Sequence, residues 1–162
     1  MPLCYDGAFT GWRFGMSIAV RELGMGDRLM LEELVDALTR DAEGTPVVDA
    51  LAPVASGALA FLASGDSFAY AAYLDNDVAG GFWGVRIRRP DGAVSVEIFD
   101  LHVMTGARRQ GIGTLLVEAA VAHARRADAA DVVLRGGPDV AALATSLGAA
   151  EADRRLMRWS LR

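Results

Sequence analysis

The spacing of apolar residues changes several times along the chain, and each change marks an element. Ser17-Ile18-Ala19-Val20-Arg21 has the composition and spacing of a first strand. Asp27 offers an N-cap, and Leu29, Leu31, Leu34, Val35 and Leu38 follow at helical spacing, which turns Asp36, Arg40 and Asp41 toward solvent. Gly44-Thr45-Pro46 breaks the chain, and an alanine-rich second helix covers part of residues 48–63. The period then shortens. Residues 68–74, 78–88 and 94–104 read as three successive strands, joined through Asp75-Asn76-Asp77 and Pro90-Asp91-Gly92. Connections this short predict an antiparallel meander. Gly80, Gly81 and Gly84 predict a bend, a bulge or a close backbone approach. Farther on, Leu115, Leu116, Ala119, Ala120 and Ala124 share one helical face, and residues 132–134 form a short strand. Asp139 begins a helix that Gly148 stops, and residues 156–161 alternate as a terminal strand. Residues 1–15 carry glycine, proline and scattered aromatics without a period and read as an extended lead-in; residues 16–162 form one domain. The fold class is α/β (α+β): a mixed central sheet flanked by helices.

Composition narrows the chemistry. With 162 residues, 52% apolar and 23% charged, the chain can bury a core without disulfides or metals. A net charge of -5 disfavours general nucleic-acid binding and suits a cationic or neutral acceptor. Cys4 is the single cysteine and His102 and His123 are the only histidines, so neither a disulfide nor a cysteine- or histidine-rich metal site is expected. Leu51 to Ala63, the most apolar stretch, is too short to span a bilayer, and no secretory signal is evident; the expected location is cytoplasmic.

The strongest motif is Arg108-Arg109-Gln110-Gly111-Ile112-Gly113-Thr114. It is a glycine-rich turn between a strand and a long helix, with two arginines at its mouth. Free N–H groups at a helix start, the helix dipole and consecutive N–H groups in a turn all favour an anion. A Rossmann-type dinucleotide loop needs a third glycine where Leu116 stands and an earlier place in the chain, and a Gly-Lys-Ser/Thr phosphate loop is absent.

This turn, the preceding Glu97-Ile98-Phe99-Asp100-Leu101-His102-Val103, the following Thr114-Leu115-Leu116-Val117-Glu118 and the late Leu147-Gly148 together resemble the GCN5-related N-acetyltransferase (GNAT) superfamily, over nearly the whole chain after its lead-in. Ser67-Phe68, Val78-Ala79-Gly80-Gly81 and the run from Glu97 to Ile112 look like the aminoglycoside 3-N-acetyltransferase subgroup of that fold. The resemblance implies a GNAT-like acyl-CoA N-acyltransferase fold with acetyl-CoA as cofactor. The residues implied to hold it are Leu101, His102 and Val103 along the pantetheine arm, and Arg108, Arg109, Gln110, Gly111, Ile112, Gly113 and Thr114 around the pyrophosphate. It implies transfer of acetyl to a primary amine of a small molecule, aminoglycoside-like or polyamine-like; a protein or peptide N-acetyltransferase and a weak acyl-CoA-binding or sensor module are the alternatives. No nucleic-acid or membrane partner is implied, and homodimers are frequent in the family.

The amine must lose a proton before it attacks the thioester, and a carboxylate can accept it. Glu97 and Asp100 are the two catalytic candidates, on opposite faces of a regular strand unless a bulge intervenes. Family members often place a tyrosine four residues before the glycine of Leu-Gly to protonate the leaving thiolate; this chain has Ala144 there.

Overall fold

A computed structural model describes residues 9–13, 16–43 and 51–150. Its elements are β1 (Phe9–Arg13), β2 (Met16–Leu23), α1 (Arg28–Glu43), α2 (Leu51–Ala63), β3 (Ser67–Leu74), β4 (Asp77–Arg88), β5 (Val94–Val103), α3 (Ile112–Arg126), β6 (Asp131–Leu134) and α4 (Pro138–Ser146). The strands form one sheet in the order β1-β2-β3-β4-β5-β6. Every pairing is antiparallel except β5 with β6. Part of the expected lead-in is thus an edge strand paired with β2. The expected terminal strand at 156–161 lies outside the described residues.

Turn chemistry sets the meander. Asp75 and Asn76 take positive φ (49° and 81°) between the paired Leu74 and Asp77, which matches the right-handed twist of the flanking strands. At the next turn Arg89 and Ala93 close the ring, with Gly92 N–H donating to the Arg89 carbonyl at 2.9 Å. Gly84 answers to packing. A Cβ there would lie 2.6 Å from both the Glu97 carbonyl oxygen and Phe68 Cζ.

Each face of the sheet has its own core. One buries Val20, Tyr70, Phe82, Val96, Ile98 and Leu101 beneath Ile112, Leu116 and Ala120 of α3. The other buries Leu23, Ala69 and Ala71 beneath Leu31, Leu34 and Leu38 of α1, with Trp83 and Tyr73 partly covered at its margin. Phe82 is therefore core, whereas Trp83 faces the α1 and α2 side.

Three polar residues depart from the sequence reading. Asp27 accepts from Gly24 N–H at 2.8 Å and pairs with Arg21 at 2.6 Å. Asp36 and Arg40 form an i,i+4 ion pair on α1, but Asp41 turns inward, its side chain only 13% exposed. His123 is buried, stacked on Phe68 with ring centroids 3.8 Å apart. It approaches Glu22 at 3.5 Å, and the Tyr70 hydroxyl links Glu22 (2.7 Å), His123 (3.2 Å) and Arg126 (2.6 Å). A helix residue shortly before Arg125 and Arg126 reads as surface in sequence; the packing of α3 on β2 and β3 places it inside.

The His123 hydrogen bond, opposed by burial and aided by Tyr70 and the charges of His123 and Arg126, holds Glu22 at a pKa of about 2 against an ordinary 4.5. The folded value is the lower one. The stabilisation is therefore present above 4.5 and drains away as pH falls from there toward about 2. Urea midpoints of wild type and Glu22→Gln should converge across that window and separate at neutrality. A constant gap at all pH values contradicts the assignment.

Candidate active site

The open end of the sheet follows from two local facts. β6 is short, so its parallel pairing with β5 ends at Ile98 opposite Leu134, and the Ile98 carbonyl accepts from Arg135 N–H at 3.0 Å. Beyond Ile98, β5 runs on to Val103 with no strand on that side among the described residues.

The second fact is a bulge. Between Gly81–Trp83 of β4 and Phe99–His102 of β5 the register slips by one residue, and Asp100 takes φ 50°. An extra residue in the left-handed region shifts the alternation of every later residue. The His102 carbonyl then faces β4, where a Cβ on Gly80 would meet it at 2.6 Å, and Met104 N–H donates to Ala79 at 2.9 Å. By alternation the main-chain groups of Leu101 and Val103 face the open gap. Arg108 Nε donates to the Val103 carbonyl from that side at 3.2 Å.

Below the gap lies the glycine-rich turn. Arg109 (φ 63°) and Gly111 (φ 86°) are both left-handed, and Gly111 is the N-cap of α3 without a side-chain cap. The first hydrogen bond of the helix is Leu115 N–H to the Gly111 carbonyl at 3.2 Å. The N–H groups of Ile112, Gly113 and Thr114 therefore have no helical partner and point outward from the helix start. Arg108 and Arg109 are exposed beside them, and Gln110 Oε1 is buried without a hydrogen-bond partner among the described residues. The two glycines serve different ends. A Cβ on Gly111 meets open space, but φ is positive; a Cβ on Gly113 would lie 2.9 Å from Leu143 Cδ2, so this glycine lets α4 close on α3.

The two acids of β5 sit differently. Glu97 Oε2 accepts from Arg135 Nε at 3.1 Å and Nη2 at 2.5 Å, and the Arg135 guanidinium lies 5.5 Å from the Phe99 ring centre. Asp100 is exposed and makes no ion pair among the described residues. His102, past the bulge, directs Nε2 to Asp41 Oδ2 at 2.6 Å. Thr105 donates to the same carboxylate through N–H (3.1 and 3.0 Å) and Oγ1 (3.1 Å). Burial pushes the Asp41 carboxyl up, but the His102 and Thr105 hydrogen bonds outweigh it and hold the pKa below the ordinary value. Trp83, paired with Phe99 across the strands, closes one wall of an apolar cavity of about 240 Å³ with Leu31, Val35, Gly57, Ala58 and Phe61.

Asp41 and Arg135 are the members that sequence reasoning missed. An acid in the last turn of a helix opposes the helix dipole, and that was a legible signal for Asp41. Arg135 gave none, since only the parallel pairing of β6 with β5 brings it beside Glu97. On α4, Ala144 offers no hydroxyl, and Ser146 Oγ is committed to the Leu143 carbonyl at 2.7 Å.

The early end of β6, the bulge of β5 and the uncapped start of α3, whose Gly113 lies beside Val103, together mark out a candidate slot. The model of the acetyltransferase (GNAT) family matches residues 30–143, a span that contains this slot. The chain belongs to the GNAT acetyltransferase family. It is an acetyl-CoA-dependent N-acetyltransferase, and its cofactor is acetyl-CoA. Solved GNAT-type structures share its fold. An aminoglycoside acetyltransferase from an uncultured soil metagenomic sample, in complex with trehalose, is 20% identical, with 90% of this chain and 97% of that one covered and a TM-score of 0.77. The same metagenomic enzyme in complex with sisomicin gives 20% identity, the same coverage (90% and 97%) and a TM-score of 0.73. A predicted acetyltransferase from Clostridium acetobutylicum, solved with acetyl-CoA, is 16% identical, covers 87% of this chain and 95% of that one, and gives a TM-score of 0.70. At these identities the likeness establishes the GNAT fold. No curated protein matches the chain. Among the described residues no helix is long and apolar enough to cross a membrane.

Proposed function

We propose that this GNAT enzyme acetylates a primary amine of a small cationic molecule of aminoglycoside or polyamine type. The observation that carries the reading is the exposed carboxylate of Asp100 at the open edge of β5, the one acid there that no described cation neutralises. An ammonium-bearing acceptor supplies the missing charge. Glu97, fixed by Arg135, lines the same side with Phe99, and the apolar cavity behind Trp83 takes the carbon skeleton. The metagenomic aminoglycoside acetyltransferase solved with sisomicin, which shares the fold, supports the same acceptor class.

In this reading acetyl-CoA lies along the slot. The N–H groups of the Arg109 to Thr114 turn hold the pyrophosphate, assisted by Arg108 and Arg109, and the main-chain groups of Leu101 and the Val103 N–H pair with the pantetheine arm. The thioester then stops beside the bulge. With Ala144 in place of a tyrosine, the departing thiolate takes its proton from solvent or from the ammonium of the intermediate.

The test is thiol release from acetyl-CoA across aminoglycosides, polyamines, amino acids and short peptides. Turnover is expected with the polycationic small molecules, and Asp100→Asn should raise their KM by roughly tenfold, the loss of about one exposed-to-partly-buried charge contact. Turnover confined to peptides removes the small-molecule reading.

A further inference from the structure

Three groups on β5 are candidates for the proton acceptor of the reaction, and they are not equivalent. Glu97 is bound through Oε2 to the Arg135 guanidinium, so taking a proton there breaks an ion pair. Asp100 is exposed and solvated. His102 lies between Leu101 and Val103, the residues whose main-chain groups face the gap, and its ring is held by Asp41 of α1 from 61 residues away in sequence. We infer that the His102–Asp41 pair is the general base of this enzyme, with His102 taking the proton from the acceptor ammonium. The inference rests on the acetyltransferase reading of this site but not on the acceptor class.

The geometry gives each atom a task. The 2.6 Å contact puts an Nε2–H proton between His102 and the Asp41 carboxylate. The neutral ring then carries its free lone pair on Nδ1, which has no hydrogen-bond partner among the described residues and is not sealed from solvent. A base held in one tautomer by a third, hydrogen-bonded group is the arrangement that nucleophile activation needs. An imidazole so oriented can act as a general base. Thr105 fixes Asp41 through three contacts, so the carboxylate cannot follow the proton away.

The step balances as follows. Nδ1 removes one proton from R–NH3⁺, and the freed amine lone pair forms the C–N bond to the thioester carbon. The tetrahedral intermediate collapses, the C–S bond breaks, and the second amine proton ends on the thiolate as CoA–SH. His102 returns its proton to solvent. The charged group in contact with the ring is Asp41 of α1; the other acids of β5 are Asp100 and Glu97, the latter paired with Arg135, and Gly81 of β4 pairs opposite His102.

Two measurements test this. Long-range ¹H–¹⁵N correlation spectra of the wild-type protein report the tautomer of His102 without any acceptor. The expected result is a neutral ring protonated on Nε2, with mixed tautomers in Asp41→Ala; a ring protonated on Nδ1 overturns the proposal. The second is the pH dependence of kcat/KM with any amine that turns over. His102→Gln should lower kcat by roughly a hundredfold or more and remove the acid limb of the profile. Glu97→Gln and Asp100→Asn should keep that limb. Persistence of the limb in His102→Gln, or its loss in either carboxylate variant, overturns the proposal. A panel with no turnover defeats the acceptor reading alone, because the tautomer still decides the base.

Discussion

Replacing Gly111 with glutamate should abolish acetyl-CoA binding while the protein stays folded. Two separate effects act at this position. The first is backbone strain. Gly111 has φ 86°, and a side chain in that region costs about 1–2 kcal/mol, which for a chain of this size lowers Tm by about 2–8 °C. The second is charge. A carboxylate at the start of α3 competes for the same unpaired N–H groups and repels the pyrophosphate; like-charge contacts of this kind cost several kcal/mol, on the order of a hundredfold or more in Kd. Folding survives because a Cβ at Gly111 meets no atom within 4 Å. Gly111→Asn separates the two effects, since asparagine tolerates a left-handed backbone and adds no charge. It should retain most of the affinity. Calorimetry on both variants is the check, and an unchanged Kd for Gly111→Glu removes the phosphate turn from the site.

Tyr70→Ala should be the most destabilising single change among the core positions described. Tyr70 is fully buried, stacks on Phe82 at 5.0 Å, and its hydroxyl joins Glu22, His123 and Arg126. Burial and the neighbouring Glu22 carboxylate push the phenol pKa well up, so the hydroxyl keeps its proton and donates to Glu22. Truncation removes an aromatic side chain from a packed core, a loss of about 3–5 kcal/mol. That corresponds to a Tm lower by about 6–20 °C. Tyr70→Phe keeps the ring and removes only the hydroxyl, leaving the polar cluster short of one partner at about 1–3 kcal/mol. Thermal unfolding of the two variants divides packing from hydrogen bonding. Equal losses in both would mean that the hydroxyl network, rather than the ring, carries the effect.

Much of the fold was legible because it is written in short-range chemistry. The α3 face formed by Leu115, Leu116, Ala119, Ala120 and Ala124, the two turns of the meander and the stop at Gly148 (φ 93°) each depend on residues within a few positions of one another. The glycine-rich turn was legible for the same reason. Its left-handed Gly111 and the N–H groups after it are properties of one continuous segment. Gly113 has a further contact that the sequence did not show, since a Cβ there would meet Leu143 on another helix.

The site beyond that turn needed the folded chain. Sequence marked Glu97 and Asp100 as alternatives on opposite faces; whether alternation held between them depended on the bulge at Asp100, and a bulge is a property of two paired strands. Asp41 meets His102 across 61 residues, Arg135 meets Glu97 across 38, and His123 meets Tyr70 across 53. No local pattern encodes such meetings, because a polar side chain on a helix reads the same whether it faces water or a buried partner. The sequence by itself determined the elements from β2 to α4, their order and the glycine-rich turn, since those arise from propensity, periodicity and backbone geometry within one segment. Only the tertiary structure decided which acid is tied up, which is free and which histidine is oriented, since burial and pairing exist only once distant segments share a surface.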